Sequence, residues 1–167
     1  MIMEPITSAD SRPGEPGLAD GRQSERALAI RRGVARYYAQ TGAMCLFEAS
    51  LANGRRADVV ALHADGTITI IEVKSSLADL RADTKWPDYI DFSDRFTFAT
   101  APDVPADAFP QTEGLMIADG FGAHALREPR LIKLHAARRK VLTLRLARHA
   151  MGRLQRLDDP NGTMPEL

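Results

Sequence analysis

Ala57-Asp58-Val59-Val60-Ala61-Leu62-His63, the turn Ala64-Asp65-Gly66, and Thr67-Ile68-Thr69-Ile70-Ile71-Glu72-Val73-Lys74 together decide the fold. Two runs rich in Val, Ile and Thr flank a short glycine-containing turn, the pattern of a β-hairpin. A three-residue loop makes His63 face Thr67, so opposed positions sum to 130 and Asp58 faces Glu72. Opposed residues of an antiparallel pair have Cβ atoms about 4.5–5.5 Å apart and share one face of the sheet. Lys74, two residues beyond Glu72, shares that face. Slipping the register by one residue would oppose Asp58 to Val73 and send it to the other face.

Two carboxylates facing each other between apolar strands repel, unless one is protonated or a cation lies between them. A hard divalent ion resolves the conflict, and Mg²⁺ or Mn²⁺ suits a site of one or two carboxylates completed by water. Lys74 then supplies a cation that orients an attacking water or stabilises charge developing on a phosphate. The competing reading is a half-exposed ion network at a strand end. The acid at the opposed position, inside otherwise apolar strands, favours the metal site.

Outward from the hairpin, Gly21 to Gln40 has helical spacing, with Asp20 as its expected N-cap. Met44 to Ala52 reads as a strand, and Asn53-Gly54 turns it into the Ala57–His63 strand, giving a three-strand meander. Leu77 to Arg95 reads as two short helices or one broken by Pro87, with Thr84 or Lys85 as the cap. Strands are expected over Arg95–Ala101, Leu115–Ala118 and Ala123–Arg127. A long helix, His135 to Leu157, closes the chain, with Leu142, Leu146, Ala150, Leu154 and Leu157 as its apolar stripe. This order implies an α/β sandwich. Residues 1–20 read as a tail, 21–158 as one domain and 159–167 as a C-terminal tail.

Composition narrows the classes. At 167 residues the chain fits one domain, and no apolar run nears the ~20 residues that span a bilayer. One cysteine, Cys45, has no disulfide partner, which with the lack of a secretory signal points to the cytoplasm. Net charge is zero but unevenly spread. Residues 127–156 hold ten Lys or Arg and one acid, whereas residues 57–119 hold twelve acids and four bases. Such asymmetry suits a basic face that brings a polyanion to an acidic centre, or else a helix with a solvated basic side. His63, His124, His135 and His149 lack zinc spacing with Cys45, and neither a Walker loop nor a nucleophile elbow is present.

Asp58 followed by Glu72-Val73-Lys74 resembles the motif of the PD-(D/E)XK nuclease superfamily, although Ala57 stands where the motif has proline. The resemblance implies a restriction-endonuclease-like core: a mixed central sheet built as helix, three-strand meander, helix and strand, flanked by helices. It also implies that Asp58, Glu72 and the Val73 carbonyl hold the metal, and Glu25 looks like the helical acid that some members add.

Ile71 to Ser75, Asp83 to Tyr89, Gly114 to Asp119 and Ala137 to Lys140 are similar to the MmcB family of bacterial DNA-repair proteins. That likeness implies DNA repair, with Lys85 as a further catalytic residue and Tyr89 beside it at the phosphate next to the scissile bond. Positions four apart share a helical face, which would bring these two together. Trp86 reads either as packing beside Pro87 or as a base-stacking platform.

Two functions compete. In the first, Asp58, Glu72 and Lys74 cut DNA with Mg²⁺ or Mn²⁺, while Arg138, Arg139, Lys140, Arg145 and Arg148 grip phosphates. In the second, the chain is a non-catalytic DNA-binding or adaptor module that recruits other damage-response proteins. RNA is not removed as a substrate by any residue pattern. Many resolvase-like relatives are dimers, and nothing in the sequence locates such an interface.

Overall fold

The computed structural model describes residues 24–163 and residue 165. Asp20, expected to cap the first helix, lies outside them. The helix, α1 (Glu25–Gln40), starts instead at Ser24, whose hydroxyl accepts the Ala27 N–H. The strands β1 (Met44–Ser50), β2 (Arg56–Leu62) and β3 (Ile68–Lys74) follow as the meander. Then come α2 (Leu77–Ala82), a 3-10 turn (Trp86–Phe92), β4 (Arg95–Thr100), a second 3-10 turn (Ala106–Ala108), β5 (Gly114–Ala118), β6 (Ala123–Arg127) and α3 (Ala136–Asp158).

The six strands form one sheet in chain order. The β1–β2, β2–β3 and β5–β6 pairs are antiparallel, and β3–β4 and β4–β5 are parallel. The hairpin register is the expected one, with Val59 opposite Ile71 and Leu62 opposite Ile68. His63 N–H donates to the Thr67 carbonyl (2.9 Å), and Gly66 takes φ +82°, a conformation glycine adopts without the Cβ penalty. All seven residues of β3 are buried, so the central strand reads as a continuous apolar run broken only by Thr69, Glu72 and Lys74.

One core packs α1 against the sheet, with Ile30, Val34 and Tyr38 over Val59, Ile71 and Ala99. Gly33 permits this approach, because a Cβ there would stand 2.2 Å from the Asp119 carbonyl oxygen and 2.3 Å from that of Gly122. The opposite face carries a second core of Val60, Ile70, Phe96, Phe98 and Phe109, closed by Leu80, Tyr89, Leu142 and Leu146. Alternation along β3 puts Glu72 and Lys74 on the same side as Ile70, the face that α2, the 3-10 turn and α3 cover.

Two of the five residues expected in the α3 stripe do not pack. Leu142 and Leu146 are buried, but Leu154 and Leu157 are 61% and 78% exposed, because the helix runs on past the core it caps. His149, not assigned to the stripe, is buried. Trp86 packs: its ring stacks on Phe96 (centroids 5.7 Å apart) and meets Phe98 edge-on. Among the described residues no helix is long and apolar enough to cross a membrane.

Candidate functional site

The β2–β3 ladder is paired as far as Val59 and Ile71, and side chains take over one step further on. Asp58 Oδ2 accepts the Val73 N–H (2.9 Å), and Glu72 Oε1 accepts the Asp58 N–H (3.3 Å). Each carboxylate thereby fills a backbone bond that the parting strands leave open. Lys74 reaches in beside them, with Nζ 3.6 Å from Glu72 Oε2 and 2.8 Å from Asp83 Oδ2. Asp83 caps α2 at its C-terminus, and its other oxygen accepts the Lys85 N–H (2.8 Å). The sequence reading missed Asp83, because no strand or helix period reaches a loop residue.

These groups line an open cleft of about 520 Å³, with Lys85, Tyr89, Arg55, Arg56 and Asp79 around them. Asp79 was legible in principle, since Ser76-x-x-Asp79 is the pattern of a capped helix start, and Ser76 Oγ does accept the Asp79 N–H (3.1 Å). Arg55 and Arg56 were not legible, because they lie in the β1–β2 turn and at the first residue of β2, where a strand period has barely begun. Glu25 is exposed on the first turn of α1 and is not among the lining residues, whereas its neighbours Ser24 and Ala27 are.

The side chains of Lys85 and Tyr89 do reach the same cleft, but not by sharing an α-helical face. Residues 86–92 form a 3-10 turn with about three residues per turn, so positions three apart eclipse. Tyr89 is buried with its ring stacked on Phe96, and its hydroxyl donates to the Arg56 carbonyl (3.1 Å). Burial, and then the charges of Glu72, Asp58 and Asp83, raise its pKa. Of this pair, Lys85 is the exposed cation.

The acids are electrostatically frustrated. Burial raises Asp58 to about 6 against the Val73 N–H and Lys74, which pull it down. Burial and then the Asp58 charge push Glu72 further, to about 8. Burial disfavours charged Lys74, yet its hydrogen bond to Asp83 and the charges of Glu72, Asp83 and Asp58 outweigh this and raise its pKa. The carboxylate oxygens that could take a hard divalent ion are those of Asp58 and Glu72, and Val73 lines the same cleft. Among the described residues no group of three or more His, Cys, Asp or Glu side chains is arranged to hold a metal.

A raised carboxyl pKa gives stability that is full below the unfolded value and lost as pH rises through the folded value. The metal-free protein should therefore lose thermal stability between about pH 4.5 and 8. Glu72→Gln should flatten that loss and raise the melting temperature at pH 8, read by calorimetry in chelator. A wild-type curve rising over this window would contradict the electrostatics.

The basic residues divide. Arg139 donates to both oxygens of Asp94 (2.5 and 2.6 Å) and to the Gly66 carbonyl (2.7 Å), so its fork is spent inside the protein. Arg138 donates to the Asp91 carbonyl (2.8 Å) and lies over the Phe92 ring. Lys140 and Arg148 are exposed and Arg145 is half-buried. Arg153, outside the expected set, donates to the Glu48 carbonyl (2.9 Å). Glu48 takes φ +50°, a left-handed conformation uncommon outside glycine, and its side chain pairs with Arg31 and Arg56.

A family model described as DNA repair protein MmcB-like matches residues 14–161. This chain belongs to the MmcB-like family. Membership suggests a role in DNA repair for this MmcB-like chain, and with it an interaction with DNA. The solved structure of SPO1766, a protein of unknown function from Silicibacter pomeroyi, is similar at 40% identity and a TM-score of 0.80. The match covers 86% of this chain and 98% of that one. No curated protein matches significantly.

Proposed function

We propose that this MmcB-like protein is a metal-dependent DNA nuclease with the restriction-endonuclease-like core of the PD-(D/E)XK superfamily. The observation that carries the reading is the meeting of Asp58, Glu72 and Lys74 in one cleft, with the half-buried Asp58 and the buried Glu72 interlocked with the backbone across a hairpin. Asp58, Glu72 and the Val73 carbonyl would hold Mg²⁺ or Mn²⁺, and Glu25, exposed and outside the cleft lining, is left out of the set. When bound, the ion supplies Lewis acidity at a phosphate oxygen and a more acidic water.

The chain's own groups account for the rest. Asp83 holds Lys74 charged and aimed at the acids, where the ammonium orients the attacking water and stabilises charge developing on the phosphate. Lys85, anchored through its N–H to the same Asp83, contacts the neighbouring phosphate. Tyr89 supports that contact by fixing the start of β2 through Arg56. Arg138, Lys140, Arg145 and Arg148 hold the backbone of DNA on either side, and Arg139 contributes mainly by fixing α3.

The test is cleavage of labelled single-stranded, duplex, flap, fork and junction DNA with Mg²⁺ or Mn²⁺, against the same panel in chelator. Cation-dependent products on any substrate support the reading. Uncut DNA throughout contradicts it.

One observation favours the second reading, a DNA-binding adaptor of the cytoplasmic damage response that recruits other repair proteins. Lys74 is already closely paired with Asp83, and the raised pKa values of Asp58 and Glu72 let protons, in place of a metal, neutralise the two acids. On either reading, DNA affinity should fall steeply with salt. Lys140→Ala and Arg148→Ala should each weaken binding across all sequences and lower the salt slope by about 1 in filter or anisotropy titrations. A slope indifferent to both would remove α3 from the DNA interface.

A further inference from the structure

Two apolar faces run along α3. Leu142 and Leu146 point into the core, but Val141, Leu144 and Met151 are 60%, 58% and 63% exposed, and Leu154 continues their row. Steps of three and seven residues keep these four on one side of the helix. Single apolar residues on a surface are ordinary, whereas a contiguous row marks an interaction site.

The row borders a groove. Two hollows of about 320 and 220 Å³ share Val141 and Arg145 in their walls, so they join along α3. Ala52 and Phe92 form the far wall of the larger one, whose surface is mainly apolar. Arg148 stands at the end of the smaller one. Arg145 and Arg148 form no ion pair or hydrogen bond with the described residues, so both guanidinium groups are available.

Charge selects the occupant. α3 holds seven Lys or Arg and one acid, Asp158. A second copy paired two-fold about the helix midpoint, near Ala147, would set Arg145 and Arg148 against their own images, which like charges oppose. DNA suits the cations, but large aliphatic side chains set among them gain nothing from a sugar-phosphate backbone. A segment that is both acidic and apolar meets the two requirements together.

We propose that the groove along α3 docks a short, acidic amphipathic helix of a partner protein. Its apolar side chains, spaced i, i+3 or i+4 and i+7, enter beside Val141 and Leu144. Its Asp or Glu residues flank that row and meet Arg145 and Arg148, which fixes the register of docking. Val141 to Leu154 is about 20 Å of helix, matched by about four turns of the partner. The docking is independent of DNA cleavage and goes beyond the DNA contacts proposed for the same helix.

The experiment is a fluorescence-anisotropy titration of the full chain into a labelled synthetic peptide of about 15 residues, with Leu at one helical stripe and Glu beside it. A shuffled peptide of the same composition and a version with Lys in place of Glu are the controls. The acidic peptide is expected to bind with a Kd of about 10–100 μM, at least about tenfold tighter than either control. Val141→Gln and Leu144→Gln, at exposed positions, should melt as wild type does and keep its DNA affinity, yet each should weaken peptide binding at least about fivefold. Arg145→Ala should weaken it too, with a smaller dependence on salt. Four results overturn the proposal: no saturable binding of the acidic peptide, equal binding of either control, peptide binding unchanged in both Gln variants, or a loss of DNA affinity in those variants as large as that of Lys140→Ala, which would give the face to DNA. A wild-type dimer in sedimentation equilibrium that Leu144→Gln dissociates would overturn it as well, by giving the face to a second copy.

Discussion

Lys74→Met is expected to slow DNA cleavage by about 10²–10³-fold, the loss typical when one donor aimed at a developing oxyanion is removed. Methionine keeps the buried stem and deletes only the ammonium. Its removal leaves Glu72 and Asp83 without their shared cation, and breaking a buried pair from one side costs about 3–5 kcal/mol. The acids can respond by taking up protons. The stability loss should therefore be largest near pH 8, where wild-type Lys74 is needed most, and smaller near pH 5.5, where Asp58 and Glu72 are mostly neutral. Paired measurements of single-turnover cleavage and melting temperature at both pH values check this. A variant that cuts at the wild-type rate would remove Lys74 from the chemistry, and a stability loss independent of pH would contradict its coupling to the acids.

Asp94→Ala is expected to be the most destabilising single change outside the cleft, by roughly 3–5 kcal/mol, with no direct part in cleavage. The carboxylate is almost wholly buried and accepts the Ile68 N–H (2.8 Å), the Leu134 N–H (2.9 Å) and the fork of Arg139. It ties the start of β3 to the approach to α3 and to α3 itself. Deleting it strands two backbone donors and a guanidinium in one step. Burial alone would raise the Asp94 pKa, but Arg139 and the two N–H groups together lower it. Stability from a lowered carboxyl pKa is present above the unfolded value and lost as pH falls through the folded one. Wild-type protein should accordingly lose this contribution in strong acid, below about pH 4, whereas Asp94→Ala should show no such step. Urea unfolding across that range reads both, and a loss under about 1 kcal/mol would show that the clamp contributes little.

The two predictions also show where sequence reasoning reaches and where it stops. The Ala64-Asp65-Gly66 turn fixed the register, and a period-two strand then put Asp58, Glu72 and Lys74 together without any knowledge of the fold. The element order was legible for the same reason: strands and helices carry periods, and Asn53-Gly54, Gly66 and Pro87 punctuate them. What was not legible lies in loops and in packing across the chain. Asp83 meets Lys74 only because α2 ends at Ala82 and turns its last carboxylate back toward β3. Arg139 counts as one more cation in a basic block until Asp94, 45 residues away in sequence, claims it. The apolar stripe of α3 predicts burial along the whole helix, but the sheet beneath it extends under only part of its length, so Leu154 and Leu157 stay exposed. The Lys85–Tyr89 pairing shows the reverse case: both residues reach the cleft, but through a 3-10 turn and not the α-helical face that four-residue spacing implied.

The central claim is that Asp58 and Glu72 hold the divalent ion that DNA cleavage requires. The most direct test is single-turnover cleavage in Mn²⁺ by wild-type protein and by Glu72→Gln, which keeps the shape of the side chain and its acceptor for the Asp58 N–H. The account predicts that wild type cuts in Mn²⁺ and stops in chelator, and that Glu72→Gln, folded and still able to bind DNA, cuts at least about 10³-fold more slowly. Cleavage by Glu72→Gln at the wild-type rate would contradict the account, and so would a wild-type protein that binds DNA but leaves it uncut in Mn²⁺.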